Sequence, residues 1–377
     1  MKYAVVGLNF GDEGKGMVTN YLAGRHPDLA VIRYSGGQQA GHTVVQDDMR
    51  HVFSQVGSGA LLGRHTYWAP TCTLDPHTLL TELGELGKIG INPDISIHGN
   101  TPITTMYEIN QNLVSEQANK HGTCGMGVNA TYRREEAHYS LLFEDLYNPE
   151  ILVLKLRAIA STSKYNSPGY EDHFLEIAAK LTSIDDIHLI DYINKSTGIW
   201  EGSQGLLLDQ DIGFFPHVTP SSVGSKGFLK SMSGSTLRVG LCLVTRGYLT
   251  RHGNGPLPYE YDEDDTKKYV ARNPDETNVL NVFQGPLRYA PLNLDLMQYA
   301  IRKDEYISNN IHDATLVVTC LDHMKEFQLF YQGSIEKYSC EYNYLARIND
   351  VINPAKMLLS RSPDSELEEF EHANFHP

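Results

Sequence analysis

"YAVVGLNFGDEGKGMVTNYLAG", Tyr3 to Gly24, decides how the rest of the chain is read. Tyr3 to Val6 is a short β-branched apolar run, the pattern of a buried strand. Met17, Val18, Tyr21 and Leu22 then share one helical face, and Gly24 is placed to stop that helix. Between them lies a glycine-rich loop, so the unit is strand, loop, helix, the ordinary frame for holding a phosphate at a helix N-terminus. The glycine spacing departs from both common forms of that frame. A Walker loop needs glycine where Asn9 stands and Ser or Thr where Gly16 stands, and the order Gly11, Gly14, Gly16 reverses the dinucleotide fingerprint. What remains is a run of N–H groups, Lys15, and the adjacent carboxylates Asp12 and Glu13. The N–H groups and lysine suit an anion, whereas two carboxylates repel one. A divalent cation or a proton-transfer role resolves the conflict; the alternative is that Asp12 and Glu13 are solvated turn residues or a bias toward the helix dipole.

Strand-like and helical runs alternate along the remaining chain without a fixed repeat. "LAVIRY" (Leu29–Tyr34) reads as the second strand, "DISIHG" (Asp94–Gly99) as the third, and "DPHTLLTELGELG" between them as a helix capped by Asp75. "GIWEG", "RVGLCLVT" and "ATLVVTC" read as further buried strands, and "NLDLMQYAIRKDEY" as an amphipathic helix. The expectation is an α/β fold, a mainly parallel central sheet covered by helices, with a P-loop-like nucleotide site on a non-Walker glycine loop. Ligands in such sheets bind beyond the carboxyl ends of the strands, where the glycine-rich stretches fall.

With 46 acidic against 31 basic residues among 377, the net charge of −15 argues against nonspecific binding to nucleic acid or anionic membrane. The N-terminal stretch turns polar too early for a signal peptide, and no apolar run approaches membrane-spanning length. Cys72, Cys124, Cys242, Cys320 and Cys340 form no C-x-x-C pair. The expectation is a cytoplasmic protein, in the host cytoplasm if phage-encoded, with reduced thiols and no structural zinc. Residues 1–365 read as a single α/β domain, and 366–377 as an acidic tail of disordered composition.

Three further stretches could carry chemistry. In "YSGGQQAGHT" (Tyr34–Thr43) His42 emerges from a glycine-rich loop after the second strand, placed to work with Asp12 as acid and base. "GTCGMGVNATYRR" (Gly122–Arg134) ends in two arginines. In "WEGSQGLLLDQDIGFFPHVTPSS" (Trp200–Ser222), Gln204 could contact a phosphoryl group or a base edge, or be an ordinary polar turn.

"GDEGKG", "GGQQAGHT", "GTCGMG", "EGSQGLLLD", "FPHVT", "GNGPLP" and "CLD", in this order and spacing, resemble the adenylosuccinate synthetase family from Gly7 to about Asp364. The resemblance implies a ligase that couples L-aspartate to C6 of a purine nucleoside monophosphate through a 6-phosphoryl intermediate. Asp12 matches the base that takes the N1 proton and a magnesium ligand, with the Gly41 carbonyl as a second ligand; His42 matches the charge-stabilising histidine, and Gln204 the contact to the 6-phosphoryl oxygen. Asn9, Gly11, Glu13, Gly14, Lys15, Gly16, Gly41, Thr43, Asp322 and Ser362 match the triphosphate site. Asp12, Gln39, Thr123, Cys124, Gln204 and Thr219 match the monophosphate site. Its interface arginine aligns with His138, for which Arg133 and Arg134 are the nearby substitutes in an expected homodimer.

Besides His138, two further departures from the family pattern stand out. The aspartate loop, here "TNVLNVFQGPLRYAPLNL" (Thr277–Leu294), carries only Arg288 where the family has a run of arginines; Thr277, Asn278 and Arg288 are its expected contacts, with Arg246 and Arg251 as helpers. The donor motif reads Cys320-Leu321-Asp322 and Ser360-Arg361-Ser362, without the lysine and glycine that frame guanine, which favours ATP over GTP. These changes resemble the phage-type branch, whose members act on dGMP and give 2-aminodeoxyadenylosuccinate; IMP with GTP is the alternative. An inactive nucleotide-binding paralogue is a third reading, opposed by retention of Asp12, Lys15, His42 and Gln204 together. A P-loop kinase or GTPase switch is opposed by the missing Walker spacing.

Overall fold

The computed structural model of the chain describes residues 1–371 apart from 120–121, 166, 187–196, 233–237, 271–284 and 365. Period-two alternation builds its centre. In β1 (Lys2–Gly7), Ala4 and Val6 enter one apolar cluster and Val5 another. β9 (Val239–Arg246) divides in the same way, Leu241 and Leu243 against Cys242 and Val244, and so does β12 (Thr315–Thr319), Leu316 and Val318 against Val317. Strands apolar on both faces need helices on both faces, hence parallel neighbours joined by crossovers. One face is covered by α1 (Lys15–Arg25), through Met17, Val18 and Leu22; the other by the helices Leu294–Lys303 and Glu341–Ile352. Each large aliphatic side chain buried there contributes roughly 1.5–3 kcal/mol.

The main sheet runs through β2 (Ala30–Arg33), β5 (Thr66–Trp68), β6 (Ile95–Ile97), β7 (Asp185–Asp186) and β8 (Gly198–Gly205) on one side of β1. β9, β12, β15 (Lys356–Leu359) and β16 (Glu368–Glu369) lie on the other side, in the order β16-β15-β12-β9-β1-β8-β2-β5-β6-β7. Every pair is parallel except β15 with β16. Val5 is level with both Glu201 and Cys242, so the carboxyl ends of β1, β8 and β9 finish side by side. A smaller sheet orders β10 (Tyr248–Arg251), β11 (Arg288–Asn293), β13 (Phe327–Tyr331) and β14 (Ser334–Tyr338), and β3 (His42–Gln46) pairs with β4 (Met49–Phe53) as a hairpin. No helix among the described residues is long and apolar enough to cross a membrane.

Several local expectations are corrected. The first helix passes through Gly24 to Arg25, because a single glycine is tolerated inside a helix and Pro27 is what ends it. The β3–β4 hairpin and the three-residue β5 intervene before the helix α2 (Pro76–Lys88), so Ile95–Ile97 is the sixth strand rather than the third. "NLDLMQYAIRKDEY" breaks at Asp304, whose carboxylate accepts from the Ile307 N–H at 3.1 Å and caps a second helix, Glu305–Asn310. At the end of the chain, Glu368 and Glu369 pair with Leu359 and Leu358.

The Asp75 cap is in place: its Oδ1 accepts from the His77 N–H at 3.0 Å and the Thr78 N–H at 3.5 Å. Asp75→Ala keeps the main-chain bonds to Gln55 and is expected to lower the unfolding free energy by about 0.5–2 kcal/mol. Urea denaturation measures this, and an unchanged midpoint would mean that the cap contributes nothing.

Candidate active site

The parallel strands end on one cavity of about 770 Å³. Its wall is made by the loops after β1, β2, β8, β9, β12 and β15, with the segment Gly122–Cys124 and the N-terminal turn of α4 (Val128–Glu136).

The loop after β1 turns through Gly11 at φ 87° and Asp12 at φ 55°, then enters α1 from Gly14 at φ 83°. Buried Glu13 folds back to accept the Asn9 N–H at 2.7 Å, while Asn9 Nδ2 donates to Thr245 at 2.8 Å and Thr319 donates to the Glu13 carbonyl at 2.9 Å. A Cβ on Gly7 would lie 2.0 Å from the Glu13 carboxylate, and one on Gly16 would lie 2.7 Å from the His42 Cβ. Those two glycines therefore exist for close approach. Lys15 stands 3.7 Å from Glu13, both buried; burial pushes the carboxyl up and the ammonium down, and each partner opposes the other's shift.

Asp12 points from the crest of the loop and is 28% exposed at its side chain. Arg246, at the end of β9, donates from Nη2 to Oδ2 at 2.7 Å and from Nε to the Asp12 carbonyl. Beside the Gly16 end of the same loop, His42 Nδ1 meets Glu201 Oε1 at 2.6 Å. Glu201 also accepts from the Ser58 hydroxyl, and from the Ser58 N–H at 3.1 Å, with Arg33 Nε 4.0 Å away. Burial alone would raise the Glu201 carboxyl, but His42, Arg33 and these hydrogen bonds hold it below the usual range. A Glu201 carboxylate takes the proton on Nδ1, leaving Nε2 to face the cavity. That Nε2, Gln204 Oε1 and Gln39 Oε1 are buried with no protein partner, which marks the wall as built for a ligand.

Of the expected residues, the cavity brings together Gly11 through Gly16, Gln39, Gly41, His42, Thr43, Thr123, Cys124, Gln204, Thr219, Asp322 and Ser362. Thr123 is placed by Asn112 of α3 (Met106–Asn119), which donates to its hydroxyl at 3.0 Å. Asn9 lies beneath the wall as a brace of the loop rather than on it. Arg134 turns inward to the Ile103 carbonyl at 2.6 Å and to Glu135 at 3.0 Å, with Glu108 3.6 Å away, while Arg133 is exposed on α4 away from this cavity. Arg288 is held by Glu260 at 2.7 Å and by the Gly253 and Gly255 carbonyls at 2.5 and 2.6 Å, outside the wall. Thr277 and Asn278 lie outside the described residues.

Arg251 does reach the cavity, over the Phe10 ring and bonded to the His217 and Pro256 carbonyls, and burial with the nearby Arg288 pushes it down to about 10. Two residues were missed from the sequence, Glu201 behind His42 and the grip of Arg246 on Asp12. Glu201 lies within β8 and Arg246 ends β9, both strands that sequence reading located, and that position was the available signal.

Burial lowers the His42 pKa from its ordinary value of 6.5, and Glu201 opposes the shift. Deprotonation is therefore expected below pH 6.5 in an NMR titration of the imidazole, and Glu201→Gln should move the midpoint lower still. A midpoint above 6.5 would show that attraction to Glu201 outweighs burial.

A family model described as adenylosuccinate synthetase matches residues 4–334. The adenylosuccinate synthetase of Thermoplasma acidophilum is 30% identical over 321 residues, 80% of this chain and 73% of its own. That of Thermobifida fusca is 33% identical over 284 residues, 69% of this chain and 66% of its own. Among solved structures, the fully ligated adenylosuccinate synthetase from Plasmodium falciparum has a TM-score of 0.79 at 17% identity, covering 97% of this chain and 98% of that one. The cyanophage S-2L succinoaminodeoxyadenylate synthetase, bound to dGMP and to dATP as an energy donor, has a TM-score of 0.66 at 17% identity, covering 99% and 96%. At that identity these two structures establish a shared fold. With the family model spanning most of its length and relatives at 30% identity or more over more than two thirds of it, the chain belongs to the adenylosuccinate synthetase family of C–N ligases.

Proposed function

We propose that this ligase joins L-aspartate to C6 of dGMP, with ATP as phosphoryl donor, releasing ADP, inorganic phosphate and 2-aminodeoxyadenylosuccinate. The observation that carries the reaction is the placing of Asp12 and the unpartnered Nε2 of His42 on one cavity, between a wall of Thr123, Gln204 and Thr219 and a wall of Cys320, Asp322 and Ser362. In the reaction, Asp12 takes the N1 proton of the 6-oxopurine so that O6 attacks the γ-phosphorus, breaking its bond to the β–γ bridging oxygen. His42 stabilises charge on that leaving oxygen, and Gln204 contacts the transferred phosphoryl group. The aspartate amine then forms its bond to C6, phosphate leaves, and one amine proton passes to solvent.

The half-open Asp12 carboxylate and the exposed carbonyl of Gly41 form a hard, sparse donor set of the kind that suits Mg2+, which retains waters and takes its other ligands from phosphates. When bound, Mg2+ would neutralise charge on the triphosphate. Lys15 and the loop N–H groups would hold the same phosphates.

Several features support the nucleotide choice. The similarly folded cyanophage enzyme was solved with dGMP and with dATP as energy donor. Cys320 and Ser362 stand in the donor wall in place of a lysine stem and a glycine, a substitution that favours adenine. The segment Thr277–Leu294 keeps one arginine, a trait shared with the phage-type resemblance. In a homodimer, Arg133 is the exposed cation on α4 that a second copy's monophosphate could receive.

Phosphate release with magnesium and aspartate, offering dGMP, GMP and IMP with ATP or GTP, tests the reading. Turnover with dGMP and ATP is expected; turnover only with IMP and GTP would make the enzyme an ordinary adenylosuccinate synthetase, and silence with all would make it a nucleotide-binding paralogue. Asp12→Asn and His42→Asn should each lower turnover by about 100-fold or more while nucleotide binding persists. Near-normal turnover in either would remove that residue from the chemistry.

A further inference from the structure

Arg246 stands over the loop that carries Asp12, and its contacts all serve one residue or hold the guanidinium still. Nε donates to the Asp12 carbonyl and Nη2 to its carboxylate at 2.7 Å. Nη1 donates to the Tyr248 hydroxyl at 3.2 Å, and the guanidinium carbon lies 5.7 Å from the centre of that ring. The hydroxyl is itself held by His323 Nδ1 at 2.9 Å, and His323 Nε2 is 3.6 Å from Asp322. Arg246 and Tyr248 are both buried.

Asp12 needs such a hold. Its φ of 55° lies in the left-handed region that a residue with a Cβ adopts reluctantly. A planar guanidinium that grips main-chain and side-chain oxygens together fixes the backbone turn and the carboxylate direction at once, which a lysine ammonium cannot. We propose that Arg246 is a positioning residue for Asp12 rather than an anchor for the carboxylates of the aspartate substrate, and that Tyr248 and His323 brace it from the donor wall. The inference rests on reading Asp12 as the base. It also gives the carboxylate a protein cation that offsets its repulsion of the incoming γ-phosphate.

Steady-state kinetics of Arg246→Lys, Arg246→Gln and Tyr248→Phe, with Arg246→Gln repeated in an Asp12→Asn background, test the proposal. The Arg246 variants should lose roughly 10- to 100-fold in kcat, since a misplaced group is costly, with the aspartate KM changing less than about 3-fold. Tyr248→Phe should lose less, again in kcat. In the Asp12→Asn background, Arg246→Gln should cost less than about 3-fold, because a group that acts through Asp12 has nothing left to position. An aspartate KM raised about tenfold with kcat preserved would make Arg246 a substrate anchor and overturn the proposal, as would fully multiplicative losses in the double variant. If Asp12→Asn alone kept near-normal turnover, the base assignment would fall instead. The grip itself is then read from unfolding free energies, where the two substitutions should be non-additive, and additivity would overturn it.

Discussion

Each carboxylate around the glycine loop after β1 faces a basic side chain, and the loop's shape follows from that pairing. Glu13 has Lys15 at 3.7 Å, Asp12 has Arg246 at 2.7 Å, and Glu201 has His42 at 2.6 Å with Arg33 at 4.0 Å. A buried charge left alone costs several kcal/mol, so none of these groups can be moved independently of its partner. Glu13 must fold back under the loop to meet both the Asn9 N–H and Lys15, and the space it takes is the space a side chain at position 7 would need. His42 must come within 2.7 Å of where a Cβ at position 16 would lie. Gly7 and Gly16 thus clear the way for a carboxylate and an imidazole, while Gly11 and Gly14 turn the loop at positive φ.

Topology makes that arrangement achievable. Because β1, β8 and β9 are adjacent and parallel, residues 12, 201 and 246 arrive at one edge although more than two hundred positions separate the first from the last. β2 brings Arg33 and the loop to His42 to the same edge from beyond β8, and β12 and β15 bring Cys320 and Ser360 from beyond β9. The cavity thus divides by strand order. The β8 side supplies Gln204 and Thr219, and the β12–β15 side supplies Asp322 and Ser362, with the Asp12 loop of β1 between them. Such a central strand, from which crossovers leave in both directions, is where open parallel sheets bind their ligands.

What could be read from the sequence was local. Apolar runs, glycine loops after strands and the Asp75 cap depend on neighbouring residues, and they were found. The β3–β4 hairpin was hidden because its turn uses Asp47 at φ 52° and Asp48 rather than a glycine, and β5 is only three residues long. Arginines were harder, since the sequence shows their charge but not their partner. Arg134 is spent on Ile103, Glu108 and Glu135, and Arg288 on Glu260 and two carbonyls, while Arg246, named as a helper for aspartate, holds Asp12. A long flexible side chain with five donors finds whichever carbonyl or carboxylate the fold brings near, and no spacing rule encodes that.

The same pairing governs how much positive charge is left for substrates. Lys15 and Arg246 line the cavity, yet each faces a carboxylate of the loop. Among the described residues Arg251 meets no carboxylate, its acceptors being the Pro256 and His217 carbonyls, and burial with the nearby Arg288 lowers its pKa to about 10. Exposed Arg50 adds a second cation at the rim. Among the described residues, two such cations in a chain of net charge −15 fall short of a triphosphate, a monophosphate and a dicarboxylate together. Helix and loop N–H groups supply partial charge only. On the proposed reading, a divalent cation carried on the triphosphate and received by Asp12 would supply part of the remainder, beside Arg133 of a second copy. In that event Asp12 would sit between a metal and a guanidinium, and the fixed direction of its carboxylate would decide which of them it serves while it takes the proton.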